Sequence, residues 1–309
     1  MRCLPTTGGA PHSLGARIVT LNPKDYELAA DDVEIIVSLS CGEDQLRNRS
    51  NTHTDGRRGR PGLVLAVWGV LLILFTALAP LAQESLGVPY ELIALVMFAP
   101  GLASLVLLIR PWQPTPWPRA NGAQVLISAC IAIVAVTTFL GTLMIITGRT
   151  PSWPVSNLGA PIAVFIVVQA IGVYSEELGW RGVVQRNGEQ FMRPSVISAI
   201  AGFVFGVTHI GYWPLGLGAV LTFGVTAALM SVTITRIFVG TLWQRMLPAV
   251  IVHLGVNIAL MVLAVGDEPL ATSPLALAAA VVMCGVATVI SILIDVLPGS
   301  SALAADRAN

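Results

Sequence analysis

LVLAVWGVLLILFTALAPLAQ, residues 63–83, is the stretch of this chain that decides its fold class. It contains no charged side chain, and a helix needs about 20 mostly apolar residues to cross the hydrocarbon core of a bilayer. The stretch therefore predicts a transmembrane helix rather than part of a water-soluble core. Every polar residue in the neighbouring apolar segments must then be judged against lipid and not against water.

The composition of the whole chain agrees with a membrane protein. Hydrophobic residues make up 55% and charged residues 11%, with a mean hydropathy of +0.78, whereas a soluble domain carries about 25% charged residues. The net charge of zero gives no support for a nucleic-acid partner. Four scattered cysteines, without a CxxC pair, predict neither a disulfide framework nor a cysteine-ligated metal.

Apolar segments of similar length recur from residue 63 to the end of the chain, and each predicts a helix. We therefore expect an all-α, polytopic membrane helix bundle of about eight transmembrane helices. The fourth helix is expected to extend past Arg181. The predicted segments are residues 63–83, 91–109, 123–147, 158–178, 195–210, 215–235, 247–265 and 275–297.

The first 61 residues differ in composition from the rest. They hold 8 of the 17 Lys and Arg residues and 8 of the 17 Asp and Glu residues, with one short apolar cluster at 33–39. A segment of this composition cannot bury enough apolar surface to fold alone, so we expect residues 1–61 to form a disordered cytosolic extension. A transmembrane domain at 62–298 and a short cytosolic tail at 299–309 would follow.

The arginines predict the orientation of the bundle. With the amino terminus inside, eleven arginines flank the inner ends of the segments and only Arg149 lies in an outer loop. Positively charged flanks stay in the cytoplasm, so both termini are expected to be cytoplasmic in a multi-pass protein of the cell (plasma) membrane. The eleven are Arg57, Arg58, Arg60, Arg110, Arg119, Arg181, Arg186, Arg193, Arg236, Arg245 and Arg307.

Three polar clusters interrupt the apolar segments. A charge at the centre of a spanning helix costs about 2.5–3.5 kcal/mol on insertion scales, so each cluster needs a reason. The clusters are SEELGWR at 175–181, FGVTH at 205–209 and HLGVN at 253–257. They belong to the fourth, fifth and seventh predicted helices.

The first cluster places an acid and a base one helical turn apart. Glu177 and Arg181 stand at i and i+4 with the acid nearer the amino terminus, which is the favourable order for an ion pair. Glu176 lies about 100° around the helix from Glu177. It can therefore face a cavity while Glu177 pairs with Arg181.

The other two clusters contain both histidines of the apolar region, out of four in the chain. His253 and Asn257 lie on one helix face, one turn apart. Phe205 lies one turn from His209, so we expect its ring to pack against the imidazole. The spacing predicts two further polar faces that point into the bundle.

Taken together, the three clusters resemble the motifs of a known family. Glu-Glu-x-x-x-Arg, Phe-x-x-x-His and His-x-x-x-Asn, in this order on three apolar segments, are similar to those of the CAAX-protease/bacteriocin-processing (CPBP) family, or Abi domain. That family includes CAAX prenyl endopeptidases and bacterial relatives tied to bacteriocin maturation and self-immunity. The resemblance covers residues 155–265, and GTLW at 240–243 also resembles family sequences. It implies a membrane-embedded peptidase.

The resemblance also implies roles for the residues of the first two motifs. Glu176 matches the glutamate that activates the attacking water, with His209 assisting it. Glu177 matches the second glutamate, and Arg181 is its expected partner. Peptide hydrolysis requires such a base for water.

The third motif leaves two readings open. His253 and Asn257 match a pair that either belongs to a metal site or stabilises the oxyanion. Glu176, His209 and His253 could bind one divalent metal ion such as zinc and leave a position for water, as catalytic zinc sites require. The same groups could activate water without a metal.

The function predicted from these residues is an intramembrane endopeptidase for a membrane-associated peptide or membrane-anchored protein, prenylated or bacteriocin-like. A catalytically silent immunity or scaffold protein is the alternative, and a transporter comes third because the chain shows no internal repeat. The predicted helix starts place His253 roughly 9 Å and His209 about 22 Å from the beginnings of their helices. A long, tilted fourth helix and a re-entrant or late-starting fifth helix would reconcile these depths. We expect the site to lie in the cytoplasmic half of the bilayer.

Overall fold

The computed structural model describes residues 61–108, 117–153, 160–264 and 269–296. The extension predicted at 1–61, apart from its last residue, and the tail predicted at 299–309 lie outside the described residues. Within them every regular element is helical, and the elements follow the predicted order. The all-α, polytopic fold class is therefore confirmed.

Eight helices occupy the eight predicted segments. The helices are α1 (Pro61–Leu86), α2 (Ala99–Leu108), α3 (Gly122–Thr147), α4 (Ile162–Gly188), α5 (Pro194–Val207), α6 (Leu217–Ile237), α7 (Leu242–Leu263) and α8 (Pro274–Val296). Three short 3₁₀ turns lie at helix ends: Leu95–Phe98 before α2, Ile210–Leu215 after α5 and Leu270–Thr272 before α8.

The predicted count of about eight transmembrane helices needs one refinement. In the described part of the chain, 6 helices are long and apolar enough to cross a membrane. The other two apolar helices, α2 and α5, are shorter. At 1.5 Å per residue, α5 with its 14 residues extends only about 21 Å, less than the roughly 30 Å of a hydrocarbon core.

The observed bounds of α4 and α7 bear directly on the placement of the candidate site. Helix α4 continues past Arg181 to Gly188, as expected, through a π-helical segment at Trp180–Gln185. Helix α7 begins at Leu242 rather than at 247, with a capping box between Thr241 and Gln244. The earlier start places His253 roughly 16 Å into its helix. Its depth is therefore closer to that of His209 than the sequence indicated.

Helices α5 and α6 form a closely packed hairpin. A Cβ atom on Gly206 would lie 2.6 Å from the Cα atom of Gly224, and one on Gly202 would lie 2.6 Å from the carbonyl oxygen of Ala227. Small residues allow such close approach of membrane helices. The hairpin brings the end of α5, with Phe205 and the loop after it, onto the inner face of α6.

Candidate active site

The two acidic residues of the first motif, Glu176 and Glu177, lie in the α-helical turn of α4 that directly precedes the π-helical segment. Both side chains are buried, with Glu176 6% and Glu177 1% exposed. At this level α4 packs tightly on α2, because a Cβ atom on Gly179 would lie 2.5 Å from the Cβ atom of Pro100. Single-turn π segments within α-helices occur frequently at functional sites.

Glu177 joins the first motif to the third. Its Oε2 atom accepts a hydrogen bond from Arg181 Nε at 2.8 Å, and its Oε1 atom lies 2.7 Å from His253 Nδ1. A carboxylate paired with arginine only accepts hydrogen bonds, so His253 Nδ1 carries the proton and donates it. The ion pair predicted within α4 is present. The bond to His253 on α7 could not be derived from helical spacing.

Glu176 approaches the other nitrogen of the same histidine. Its Oε2 atom lies 3.7 Å from His253 Nε2, which is longer than a direct hydrogen bond. A water molecule can lie within hydrogen-bond distance of both atoms. The family resemblance implies that His209 assists Glu176, and the structure also places His253 beside Glu176.

His209 lies off the helix on which the sequence placed it. Helix α5 ends at Val207, and His209 precedes the 3₁₀ turn at Ile210–Leu215. Its Nδ1 atom donates to the Phe205 carbonyl at 2.8 Å, and the expected packing on Phe205 is present with ring centroids 4.6 Å apart. Phe223 and Tyr212 lie 4.9 Å and 6.0 Å from the imidazole. These contacts hold the ring with Nε2 as its free nitrogen.

Four of the six predicted site residues, all except Glu177 and Arg181, meet at one cavity of about 350 Å³. Glu176, His209, His253 and Asn257 all line it, together with mostly apolar side chains. Asn257 is half-buried, and no hydrogen bond to its amide is found within the described ranges. Glu177 and Arg181 are not among the lining residues and lie behind His253. The structure therefore brings four groups to the cavity and places the ion pair as their support.

A buried serine on α6 belongs to this support, although no motif contains it. Arg181 Nη1 donates to Ser231 Oγ, and Ser231 Oγ donates to the Ser198 carbonyl at 2.6 Å. Thr235 Oγ1 continues the chain to Ser198 Oγ at 2.7 Å. Ser231 is a lone serine in an apolar helix, so the sequence offered no signal for it. Tyr212 was also missed, although it follows His209 by three residues.

Ser231→Ala should destabilise the protein more than the loss of another buried serine. The Arg181 guanidinium would lose a buried acceptor, and hydrogen bonds to charged groups contribute about 1.5–3 kcal/mol. Ser128→Ala is the matched control, because Ser128 is 2% exposed and donates to the Ile237 carbonyl, also on α6, at 2.6 Å. Thermal unfolding of both purified variants measures the difference. Equal midpoints would mean that Arg181 does not depend on Ser231.

The predicted zinc ligands Glu176, His209 and His253 have suitable chemistry for a metal but are not placed as a metal site. In kind they fit, because His209 and His253 each donate Nδ1–H to an oxygen and keep Nε2 for a metal, as metal-bound histidines do. Their positions do not fit a metal. Within the part of the chain that the structure describes, no three His, Cys, Asp or Glu side chains lie close enough together to bind one metal ion. The zinc site stays a prediction that requires side-chain movement.

Residues 158–259 match the family model described as Type II CAAX prenyl endopeptidase Rce1-like. The match spans α4 to α7 and contains all six predicted site residues. A search of curated proteins returned no match. The resemblance drawn from the three motifs is confirmed, because residues 158–259 are similar to the Rce1-like family of CAAX prenyl endopeptidases.

Proposed function

We propose that this multi-pass membrane protein is an endopeptidase that hydrolyses a peptide bond within the bilayer by glutamate-activated water. The observation that carries the proposal is the placement of Glu176. Its buried carboxylate lies 3.7 Å from His253 Nε2 and lines the same cavity as His209 and Asn257. The Rce1-like match supports a membrane peptidase.

The first step is the activation of water by Glu176. A water between Glu176 Oε2 and His253 Nε2 transfers a proton to the carboxylate, and its oxygen attacks the carbonyl carbon of the scissile peptide bond. The Asn257 amide donates to the oxyanion that forms, since it lines the cavity and is not engaged elsewhere in the described chain. Protonated Glu176 then gives its proton to the leaving nitrogen. The products are a carboxylic acid and an amine.

The Glu177–Arg181 pair positions His253 for this step. Glu177 accepts from Arg181 at 2.8 Å and from His253 Nδ1 at 2.7 Å. Both partners hold Glu177 in its ionised form, which in turn fixes the His253 tautomer with Nε2 toward Glu176. His209 is proposed to bind the substrate or to assist with proton transfer through its own Nε2.

The substrate class follows from the cavity and the family. The lining is mostly apolar and includes Met97, Phe223 and Leu260, which suits a hydrophobic peptide segment. We propose a membrane-associated peptide or membrane-anchored protein as substrate, with prenylated and bacteriocin-like peptides as the two classes to test. The cell membrane is the proposed location.

Peptides released from membranes test the function directly. Vesicles containing the wild-type protein should release peptides that vesicles with Glu176→Ala do not, as measured by comparative mass spectrometry of the soluble fraction. Glu84→Ala serves as control, because Glu84 lies exposed near the end of α1. Identical peptide sets from all three would favour the silent immunity or scaffold alternative. Ion flux that depends on Glu176 without peptide release would favour a transporter.

A metal measurement tests the choice of mechanism. We expect purified, active protein to keep its activity after dialysis against a chelator. In the proposed mechanism, Glu176 and His253 activate the water molecule without a metal ion. Metal content per chain is measured in parallel. Stoichiometric zinc that leaves together with activity, and restores activity when it is added back, would replace this mechanism with a metal-dependent one.

A further inference from the structure

Gln169 is a polar residue of the cavity that the proposed mechanism does not use. It lies on α4, ahead of the first motif, and it lines the cavity together with Glu176. Its side chain is half-buried in an apolar stretch of the helix. Burying an amide without hydrogen-bond partners is costly, so the partners of this amide indicate what the residue does.

One hydrogen bond within the protein holds the Gln169 amide in place. Its Nε2 atom donates to the Leu92 carbonyl, in the segment before α2, at 2.8 Å. A glutamine amide has two N–H donors and one acceptor oxygen, so this bond leaves the second N–H and Oε1. Neither of them has a hydrogen-bond partner within the described ranges. A fixed side chain therefore offers one donor and one acceptor at the cavity.

Gln169 and Glu176 project from one face of α4. Seven residues separate them, which is nearly two helical turns, so the side chains point the same way about 10 Å apart along the helix axis. Gly172 lies between them on this face. A Cβ atom on Gly172 would lie 3.1 Å from Met97 Cε, and Met97 also lines the cavity. The absence of a side chain at Gly172 thus leaves room for the apolar lining between the two polar groups.

The facing helix α7 accompanies α4 over the same length. The two helices are antiparallel, because Arg186 near the end of α4 and Arg245 near the start of α7 lie 5.2 Å and 4.0 Å from the ring centroid of Trp117. The lining residues of α7 run from His253 to Leu260, which is again seven residues. The cavity therefore continues between the helices for about 10 Å beyond the proposed site of water activation.

The other polar side chains of the lining are already engaged or lie beside the proposed catalytic residues. Besides the four predicted site residues and Gln169, the lining contains only Tyr212 and Thr226 as polar residues. Tyr212 stacks on His209 with ring centroids 6.0 Å apart. Thr226 Oγ1 donates to the Thr222 carbonyl at 2.9 Å. Gln169 is thus the amide that can bind a peptide unit away from the catalytic groups.

We propose that Gln169 binds the main chain of the substrate three residues from the scissile bond, a role that rests on the proposed peptidase function. An extended peptide advances about 3.3–3.4 Å per residue, so three residues cover the distance from Glu176 to Gln169. There Oε1 accepts a backbone N–H, and the second Nε2–H donates to a backbone carbonyl. Because both bonds involve the main chain, Gln169 selects a segment that is extended and long enough, rather than one particular side chain.

Single ester substitutions in a peptide substrate test this contact. An ester in place of a peptide bond removes one backbone N–H and leaves the side chains unchanged. The probe is a synthetic peptide that spans a cleavage site identified from wild-type vesicles. Its analogues carry one ester at the third residue on either side of the scissile bond, or at the fifth residue as a control. The purified wild-type protein and Gln169→Leu are compared by kcat/KM for each peptide.

We expect wild-type protein to lose about threefold to tenfold in kcat/KM with the ester at the third residue on one side, which is the contribution of one neutral hydrogen bond. The ester at the fifth residue should have no effect. Gln169→Leu should cleave the all-amide peptide more slowly by a similar factor and should not distinguish the amide from the ester. If Gln169→Leu does not accumulate in membranes, Gln169→Met takes its place.

Gln83→Leu is the matched control for the hydrogen bond to Leu92. Gln83 is 2% exposed and donates to the Val88 and Ile93 carbonyls, so it anchors the same segment, but it does not line the cavity. Whatever its rate, Gln83→Leu should keep the wild-type ratio of amide to ester cleavage. Loss of this ratio would assign the effect to the segment before α2 and overturn the proposal.

Two other results would also overturn it: equal cleavage of all esters by the wild-type protein, or an ester effect that persists in Gln169→Leu. In both cases the wild-type protein still cleaves the all-amide peptide, so the proposed peptidase function stands and only the Gln169 contact fails. If the wild-type protein cleaves no peptide, the proposed function fails and the contact fails with it.

Discussion

Glu176→Gln is expected to abolish peptide cleavage while leaving the protein folded. The amide keeps the size and the hydrogen-bonding reach of the carboxylate but cannot take a proton from water. A positioned general base contributes about 10²–10⁴-fold to a rate, so a loss of that size is expected. Initial rates of the purified variant, with a peptide substrate identified from wild-type vesicles, give the measurement.

The same variant should keep its thermal unfolding midpoint near that of the wild type. Glu176 has no arginine or lysine partner in the described chain, and its Oε2 atom lies 3.7 Å from His253 Nε2. Glu84→Gln, an exposed change on α1, is the control for both rate and stability. A general base contributes about 10²–10⁴-fold to the rate of hydrolysis. A Glu176→Gln protein that retains more than about a tenth of the wild-type rate would therefore contradict this role. Glu176 would then be assigned to substrate binding.

Glu177→Gln is expected to act through stability rather than through chemistry. Glu177 is 1% exposed and Arg181 is 3% exposed, so the neutral amide would leave the guanidinium buried without a carboxylate. Removing one partner of a buried ion pair costs about 3–5 kcal/mol. The thermal unfolding midpoint and the yield of membrane-inserted protein should both fall well below those of Glu176→Gln.

A double variant separates the ion pair from the role of Glu177 in positioning His253. Replacing a buried pair by apolar residues of similar volume is often neutral. Glu177→Leu combined with Arg181→Met should therefore recover much of the stability lost in Glu177→Gln. Its activity should stay low, because His253 Nδ1 would have lost its acceptor at 2.7 Å. If the double variant unfolds as readily as Glu177→Gln, the buried charge of Arg181 does not cause the instability.

The apolar segments could be located from composition because a bilayer core demands about 20 apolar residues per crossing. Their bounds were less predictable where polar residues are buried in protein. Gln244 and Arg245 interrupt the apolar run before α7, yet α7 begins at Leu242. Gln244 donates to the Ala120 carbonyl at 2.8 Å, and Arg245 packs on the Trp117 ring. A hydropathy count cannot distinguish such a packed polar residue from one at the end of a helix.

The short helix α5 shows a second limit of the same kind. The segment 195–210 is apolar, but the structure ends the helix at Val207 and turns the chain before α6. His209 therefore lies outside the helix. It is held by a hydrogen bond to the Phe205 carbonyl and by packing against the rings of Phe205, Tyr212 and Phe223. The Phe205–His209 contact still forms, because a separation of four residues brings the two rings together in this turn as well.

The sequence by itself determined the membrane character of the chain, the order of its helices, the Glu177–Arg181 pair and the similarity of residues 158–259 to the Rce1-like family. These depend on composition, on spacing within one helix and on three local motifs. The tertiary structure alone decided that His253 lies beside Glu176, that Ser231 holds Arg181, and that Glu176, His209, His253 and Asn257 line one cavity. Helical periodicity relates only residues within about one turn of each other. Contacts between helices depend on the rotation, depth and tilt of each helix, which side-chain packing sets across the whole bundle.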